Sequence, residues 1–275
     1  MSAQVLEYQR AATAAQAVQW LHRSDVVTAP LLIPPRLPDD AFPQAAAVID
    51  LQALGLDYVI ASGDAVRIGA LAPLQALVES PASQGLANGV LAQAAYLSAH
   101  LGLRNLATVA GAVTGVDGGQ AGPPEVLLAL LALGAEAVVQ GDAVRRAPLA
   151  SYQPSSDELL IELSVARLAG AGGGLARVAR TPLDWAIVAA VAVVTTVTAR
   201  VAVAGASPQP IVAEAEVAGK ASSIVSRLAG AVDARVQPLD DAHSNARGSA
   251  DYRRAMARAL THRALEQAFA HRGGA

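Results

Sequence analysis

The chain has 275 residues, of which 53% are hydrophobic and 16% charged, with a net charge of −3 and a mean hydropathy of +0.37. This composition excludes intrinsic disorder, and the length suffices for one large domain or two modest ones. Alanine is the most abundant hydrophobic residue, and aromatic residues are only 3% of the chain. The longest uncharged apolar run, residues 185–199, falls short of the roughly 20 residues of a membrane-spanning helix. With no export signal visible, we expect a soluble, cytoplasmic protein without membrane insertion.

The absence of cysteine narrows the chemistry further. It excludes disulfides, zinc ribbons, a thiol nucleophile and an iron–sulfur cluster held by this chain's own thiolates. A pI near 5.9 without basic blocks argues against nucleic acid as the main partner. The histidines lack metal-ligand spacing, and neither a Gly-x-Ser-x-Gly elbow nor a Walker A loop is present. We therefore predict no catalytic residue and no metal ligand in this chain.

The first half of the chain predicts short strands and helices around one long loop. Thr13 and Gln16 have the spacing of a capping box and predict that a helix begins there. The prolines between residues 26 and 43 exclude a helix and a central strand, so that stretch is expected to be an irregular loop. Strands are expected at 47–51, 58–60, 66–68 and 137–139, with a turn at 62–64, and helices at 74–79, 90–99 and 125–133.

The second half predicts a further unit that starts near residue 165. A strand is expected over 159–165, and the glycine run at 170–174 predicts a tight connection. Ser249 is placed to cap the last helix. Further β-rich segments are expected at 175–179, 185–198 and 200–204, and helices over 213–229 and 249–270. Strands and helices in two blocks predict an α+β fold rather than a regular βαβ alternation.

The glycine-rich stretch that begins at Gly111 is a candidate phosphate loop. Glycines let backbone N–H groups approach a phosphate closely. The dinucleotide fingerprint requires Gly-x-Gly-x-x-Gly between a strand and a helix, whereas Gly111 and Gly115 have a different spacing. An irregular surface turn before the helix at residue 125 is the simpler prediction.

Six segments nevertheless occur in the order of a known family. They include Leu103-Arg-Asn-Leu-Ala-Thr-Val-Ala-Gly111, Arg180 followed by Asp184-Trp185, and Gly248-Ser-Ala-Asp-Tyr-Arg-Arg254. The first is similar to an Ile-Arg-Asn-x-x-Thr-Ile-Gly-Gly loop. The chain resembles the flavoprotein (medium) subunit of molybdenum hydroxylases, the carbon monoxide dehydrogenase and xanthine dehydrogenase class. The other segments are residues 6–10, 48–60 and 66–71, and residues 238–241 precede Gly248 in the same final segment.

This resemblance implies a fold, a cofactor and partners. It implies a two-lobed FAD-binding domain over residues 1–165, with a lobe boundary near residue 54, and a small sheet-and-helix domain over 166–275. Subunits of this kind hold FAD between the lobes and pass electrons onward. The implied partners are an iron–sulfur small subunit and a molybdopterin large subunit in a hetero-oligomer. Arg180, Asp184, Asp240 and Tyr252 are implied scaffold or subunit-contact positions.

The two FAD loops of the family are altered in this chain. The first loop of the family reads approximately Ala-Gly-Gly-Gln-Ser-Leu-Leu-Pro, where this chain has residues 27–34 without glycine. Pro30 has no N–H to donate to a phosphate. In the second loop, alanines stand at 112 and 121 in place of polar or glycine positions. The cofactor-binding positions implied by the resemblance are Ala29, Pro30, Leu31, Leu32, Ile33, Thr108, Gly111 and Asp117.

The sequence thus predicts the medium subunit of a molybdenum hydroxylase, whose family role is electron transfer from iron–sulfur clusters to FAD. Because both loops are altered, FAD binding is expected to be weakened or lost. Two alternatives stay open on the same fold: a flavin-free structural or assembly subunit, and a stand-alone small-molecule binding protein.

Overall fold

The N-terminal lobe is a parallel sheet with one helix packed on it. The computed structural model describes residues 5–33, 45–114, 125–181, 184–236 and 247–273. The helix begins where the capping box predicts, because the Thr13 hydroxyl accepts a hydrogen bond from the Gln16 N–H at 3.1 Å. Its buried face packs with Ile49 into a small apolar core. The elements are β1 (Glu7–Arg10), α1 (Ala14–Leu21), β2 (Thr28–Pro30) and β3 (Ala47–Asp50), and the strands pair in the order β1-β3-β2.

The second lobe is an antiparallel sheet covered by helices. Its described strands are β4 (Val59–Ser62), β5 (Ala65–Gly69), β6 (Glu136–Gln140), β7 (Val144–Pro148) and β8 (Leu159–Ala166), in the order β4-β5-β8-β6-β7. The helices are α2 (Leu74–Glu79), α3 (Pro81–Gln84), α4 (Val90–Ser98), α5 (Leu101–Arg104), α6 (Val109–Thr114) and α7 (Glu125–Ala132). The β4–β5 hairpin turns at Gly63 with φ +57°, as the sequence predicts.

The C-terminal unit is a second antiparallel sheet with two helices on one face. The strands β9 (Gly172–Val178), β10 (Val188–Val194), β11 (Thr198–Ala204) and β12 (Ile211–Glu216) pair in the order β12-β11-β10-β9, and the helices are α8 (Ala221–Asp233) and α9 (Ala250–His271). Ser249 caps α9 as predicted, since its hydroxyl accepts from the Tyr252 N–H at 3.2 Å. Leu260 and Ala264 of α9 are buried, as is Arg253, whereas Tyr252 is 39% exposed.

α7 joins the second lobe to the C-terminal sheet. All eight of its residues are buried, and it contacts β10 and β11. One apolar core therefore runs from Leu128 of α7 to Val191 of β10. The division at residue 165 separates two sheets that share this core, and the domain boundaries stay a prediction. Among the described helices, none is both long and apolar enough to cross a bilayer.

Two expectations for the loops of the first two lobes are wrong. Residues 28–30 form a strand rather than irregular loop, and Pro30 is tolerated because β2 lies at the sheet edge. The hydrogen bond to the Ile49 carbonyl comes from the next residue, Leu31, at 2.9 Å. Gly111 lies within the buried helix α6, not in a surface turn. The rest of that predicted turn, residues 115–124, lies outside the described residues.

Two expectations for the C-terminal unit are also wrong. Residues 172–174 begin strand β9 rather than form a tight connection. The missing side chains of Gly172 and Gly174 let α9 approach closely, and that of Gly173 leaves room for Ala87 and Val90 of the second lobe. The helix expected from residue 213 begins at Ala221, since β12 occupies residues 211–216 and pairs with β11. Burial alternates along β12, with Ile211 and Ala213 inside and Glu214 exposed. Here strand pairing overrides the helix propensity of alanine and glutamate.

Candidate functional site

A cleft of about 440 Å³ separates the N-terminal lobe from the second lobe. Arg10 and Asp50, the last residues of β1 and β3, line one wall together with Leu31 just beyond β2. Pro73 and Thr108 belong to the opposite wall. Open α/β sheets bind ligands in the crevice outside the carboxyl ends of parallel strands. This interlobe cleft is therefore the candidate site.

The electrostatics of the cleft centre on the buried carboxylate of Asp50. It accepts hydrogen bonds from the Tyr8 hydroxyl at 2.6 Å and the Gln52 N–H at 2.8 Å, and Arg10 Nε lies 3.5 Å away. Burial raises the pKa of Asp50, but these hydrogen bonds and Arg10 outweigh it and hold the pKa below its usual value. Asp57 adds a second carboxylate to the lining. A cleft with one arginine and two aspartates does not favour an anionic ligand.

The residues implied for the first FAD loop contribute mainly apolar side chains to the interlobe cleft. Ala29 and Pro30 lie within β2, while Leu31 and Ile33 line the cleft. Leu32 packs against the apolar cores of both lobes. This segment therefore contributes aliphatic side chains to the cleft.

The second implied segment is fixed to its neighbours by its own amides. The Thr108 N–H donates across the cleft to the Ile33 carbonyl at 2.9 Å. The amides of the next two residues donate to the carbonyls of residues 72 and 70, respectively. The two amides after those donate to Thr108 itself. These bonds are Val109 N–H to the Ala72 carbonyl (3.0 Å), Ala110 N–H to the Ala70 carbonyl (2.7 Å), Gly111 N–H to Thr108 Oγ1 (3.1 Å) and Ala112 N–H to the Thr108 carbonyl (2.9 Å).

These contacts provide a direct test of whether a flavin dinucleotide fits. A pyrophosphate held by a glycine loop needs backbone N–H groups that point at it. From Thr108 to Ala112 every amide already donates within the protein, and Pro30 has none. Gly111 is buried inside α6, and Asp117 lies outside the described residues. Within the described residues, the amides of residues 108–112 are therefore already used by the protein and do not point at a pyrophosphate.

The link from Ile33 to Thr108 could not be expected from the sequence. It joins the two lobes through main-chain atoms, which leave no residue-type signature. The only related sequence signal is the aliphatic run Leu31-Leu32-Ile33, of which Leu32 reaches both cores. Leu31, Ile33 and Thr108 line the same cleft, and their assignment to a flavin site stays a prediction.

Of the implied scaffold positions, Asp184 has the clearest structural role. Its Oδ1 accepts from the Trp185 N–H at 2.8 Å and from Arg247 Nη2 at 2.9 Å. The Arg247 guanidinium also lies 5.7 Å from the centre of the Trp185 ring. These contacts tie the segment before β10 to the segment before α9. Arg180 is exposed, and Asp240 lies outside the described residues.

Comparisons with known proteins give a consistent result. The family model for the FAD binding domain in molybdopterin dehydrogenase matches residues 4–162. A comparison with curated protein sequences gives no match. Carbon monoxide dehydrogenase from Hydrogenophaga pseudoflava, which lacks the Mo-pyranopterin moiety of its cofactor, is similar with a TM-score of 0.83, 24% identity, and coverage of 99% of this chain and 100% of that chain.

Two other solved structures resemble the chain over almost its full length. Reconstituted CO dehydrogenase from Oligotropha carboxidovorans has a TM-score of 0.79 and 23% identity, covering 97% of this chain and 98% of that one. Quinoline 2-oxidoreductase from Pseudomonas putida 86 has a TM-score of 0.78 and 20% identity, with 98% of each chain covered. At these identities the structures establish the fold, and the predicted α+β class is confirmed.

The family model extends over more than half of the chain, from the first strand to β8. The resemblance inferred from the ordered segments is confirmed. The chain belongs to the family defined by the FAD binding domain in molybdopterin dehydrogenase.

Proposed function

We propose that this chain is the medium subunit of a molybdenum hydroxylase complex, and that its flavin site is weakened or lost, so that its role there is structural. The first part rests on family membership and on the fold shared with CO dehydrogenase along nearly the whole chain. The observation that favours the second part is the use of every amide from Thr108 to Ala112 within the protein.

Rearranging that segment around a pyrophosphate would be costly. If the amides of Val109 and Ala110 turned towards a ligand, their hydrogen bonds to the carbonyls of residues 72 and 70 would be lost. An unsatisfied buried group costs about 1–3 kcal/mol. The aspartates of the cleft would add repulsion to the negative charge of the ligand. A flavin would therefore have to repay these costs before any net binding appeared.

The same contacts support a structural role. The Thr108 N–H to Ile33 carbonyl bond and the packing of Leu32 join the two lobes with protein atoms alone. A lobe pair closed in this way keeps its outer surface in one arrangement for partner subunits. By resemblance, those partners are an iron–sulfur small subunit and a molybdopterin large subunit. The chain then supplies shape to the complex, while redox chemistry resides on its partners.

The decisive measurement is the visible absorption spectrum of the purified full-length chain, before and after incubation with FAD and gel filtration. We expect no stoichiometric flavin band in either sample. A band at one flavin per chain would overturn the flavin-free part of the proposal.

The role within a complex is tested separately by co-expression with iron–sulfur and molybdopterin subunits encoded by the same genome. We expect a complex that survives gel filtration. A chain that elutes alone as a stable monomer under mild conditions would overturn this part and would favour a stand-alone binding protein.

A further inference from the structure

A second cavity lies away from the interlobe cleft, between the second lobe and the C-terminal sheet. We call it the Tyr152 cavity; its volume is about 200 Å³. Residues of α6, α7 and the segment that follows β7 form one side, and the β11–β12 turn forms the other. It shares no lining residue with the interlobe cleft. The lining consists of Val113, Thr114, Leu127, Leu131, Leu149, Ala150, Tyr152, Gln153, Pro154, Gln209, Pro210 and Val212.

The walls of the Tyr152 cavity suit a small apolar body. Leu127, Leu131 and Leu149 are buried and provide an aliphatic surface. Pro154 and Pro210 stiffen the rim, because a proline ring fixes its backbone φ. Pockets for drug-sized ligands have roughly 300–1,000 Å³. This smaller volume suits a ligand of one or two rings.

The polar groups of the lining are uncharged and few. Gln153 and Gln209 bring carboxamides from the two sides of the cavity, and each carboxamide has both donors and an acceptor. Tyr152 is 7% exposed and adds a hydroxyl group, which can donate and accept a hydrogen bond. None of the residues described as lining the cavity is charged, so a charged ligand would lose its hydration without compensation.

From this arrangement we propose that the Tyr152 cavity binds an uncharged, planar aromatic molecule of one or two rings that bears a carboxamide or lactam edge. The ring fills the aliphatic slot, and its amide edge pairs with the carboxamides of Gln153 and Gln209 and with the Tyr152 hydroxyl. Because the two sides of the cavity belong to different sheets, the bound molecule bridges the second lobe and the C-terminal unit.

The test uses benzamide and benzoate with the full-length chain, followed by NMR titration. The two probes have the same ring and nearly the same size, but benzoate carries a charge. We expect saturable binding of benzamide in the millimolar range, with shifts at Thr114, Leu131 and Tyr152. Benzoate is expected to bind at least about tenfold more weakly, because none of the described lining residues is a cation that could replace its lost hydration.

Two variants distinguish this cavity from the interlobe cleft. Gln209→Ala removes one exposed carboxamide and is expected to weaken benzamide binding at least about threefold without affecting folding. Gln52→Ala, a matched change in the interlobe cleft, is expected to leave binding unchanged. Absence of saturation at tens of millimolar benzamide, equal binding of benzoate, or equal weakening by the two variants would each overturn the proposal.

Discussion

Replacing Gly174 with alanine tests how closely α9 packs on the C-terminal sheet. A Cβ at this position would lie 2.1 Å from the Ala264 carbonyl oxygen and 2.8 Å from the Ala268 nitrogen. Ordinary van der Waals contact begins at 3.4 Å. The atoms in the way belong to the main chain of α9 and cannot rotate aside. The helix or the strand would therefore have to move by more than 1 Å, roughly the difference between 3.4 and 2.1 Å.

That movement determines the expected loss of stability. Overpacking of a core typically costs about 1–3 kcal/mol, and we expect Gly174→Ala to reach about 3 kcal/mol because no side chain can yield. A shift of α9 would also loosen Leu260 and Leu265, which are buried against the sheet. For a chain of this size, 1 kcal/mol corresponds to roughly 2–4 °C in the unfolding midpoint. The expected drop is therefore about 6–12 °C.

Gly230→Ala provides a matched control for the same chemical change. Gly230 lies in α8, and a Cβ there would meet nothing within 4 Å. Alanine is favoured over glycine in a helix by about 0.5–1 kcal/mol, so this variant should be slightly more stable. Thermal unfolding of both variants by circular dichroism, at one scan rate, gives the comparison. If Gly174→Ala unfolded at the same temperature as Gly230→Ala, the close approach of β9 and α9 would be refuted.

Three further predictions address the site and the sheet. The double variant Ala29→Gly, Pro30→Gly should still show no flavin band after incubation with FAD, because the amides of residues 108–112 still donate hydrogen bonds within the protein. A stoichiometric band would contradict this expectation. Leu32→Ala should lower the unfolding midpoint and speed amide hydrogen exchange at residues 107–110, because Leu32 packs against the cores of both lobes. Unchanged hydrogen exchange would contradict this bridging role. Glu162→Gln should cost about 1–3 kcal/mol at pH 7 in urea unfolding, a difference that shrinks below about pH 4.3.

The pH dependence of Glu162 follows from its partners on the second-lobe sheet. Burial raises the pKa of Glu162, but hydrogen bonds from Arg67 Nε at 2.8 Å and the Tyr58 hydroxyl at 2.5 Å outweigh it and lower the pKa below its usual value. Burial and the same carboxylate raise the pKa of Tyr58 to about 12. A depressed carboxyl pKa stabilises the fold above the unfolded-state value, and this stabilisation is lost as the pH falls through the folded-state value. The wild-type chain should therefore lose this contribution in acid, whereas Glu162→Gln has none to lose.

Local sequence signals predicted local structure well. The capping residues Thr13 and Ser249 mark where α1 and α9 begin, and Gly63 marks the hairpin turn. Each of these signals acts within a few residues, so neighbouring sequence determines the outcome. The β-rich segments expected at 175–179, 185–198 and 200–204 correspond in outline to β9, β10 and β11.

Long-range packing explains where prediction failed. The glycines at 172–174 indicate a turn when only neighbours are considered, yet they form a strand. The close approach of α9 to Gly172 and Gly174 requires their missing side chains, and Gly173 lies against the second lobe. Residues 213–216 favour a helix by composition, yet they belong to β12 and pair with β11. In both cases an element far away in sequence decides the conformation, and a single sequence does not name that element.

At the candidate site, both neighbouring sequence and the packing of distant segments determine the structure. The altered loops alone therefore do not decide whether flavin binds. Losing a glycine removes conformational freedom, but a phosphate is recognised by N–H groups, and every residue except proline has one. What matters is whether those N–H groups already have acceptors. At Thr108, Val109 and Ala110 the acceptors are carbonyls of residues 33, 72 and 70, two of which belong to the turn after β5 and one to the other lobe. In our proposal, main-chain hydrogen bonds between distant segments are therefore what excludes flavin. Restoring glycine at positions 29 and 30 alone would leave every one of those bonds to the second segment in place.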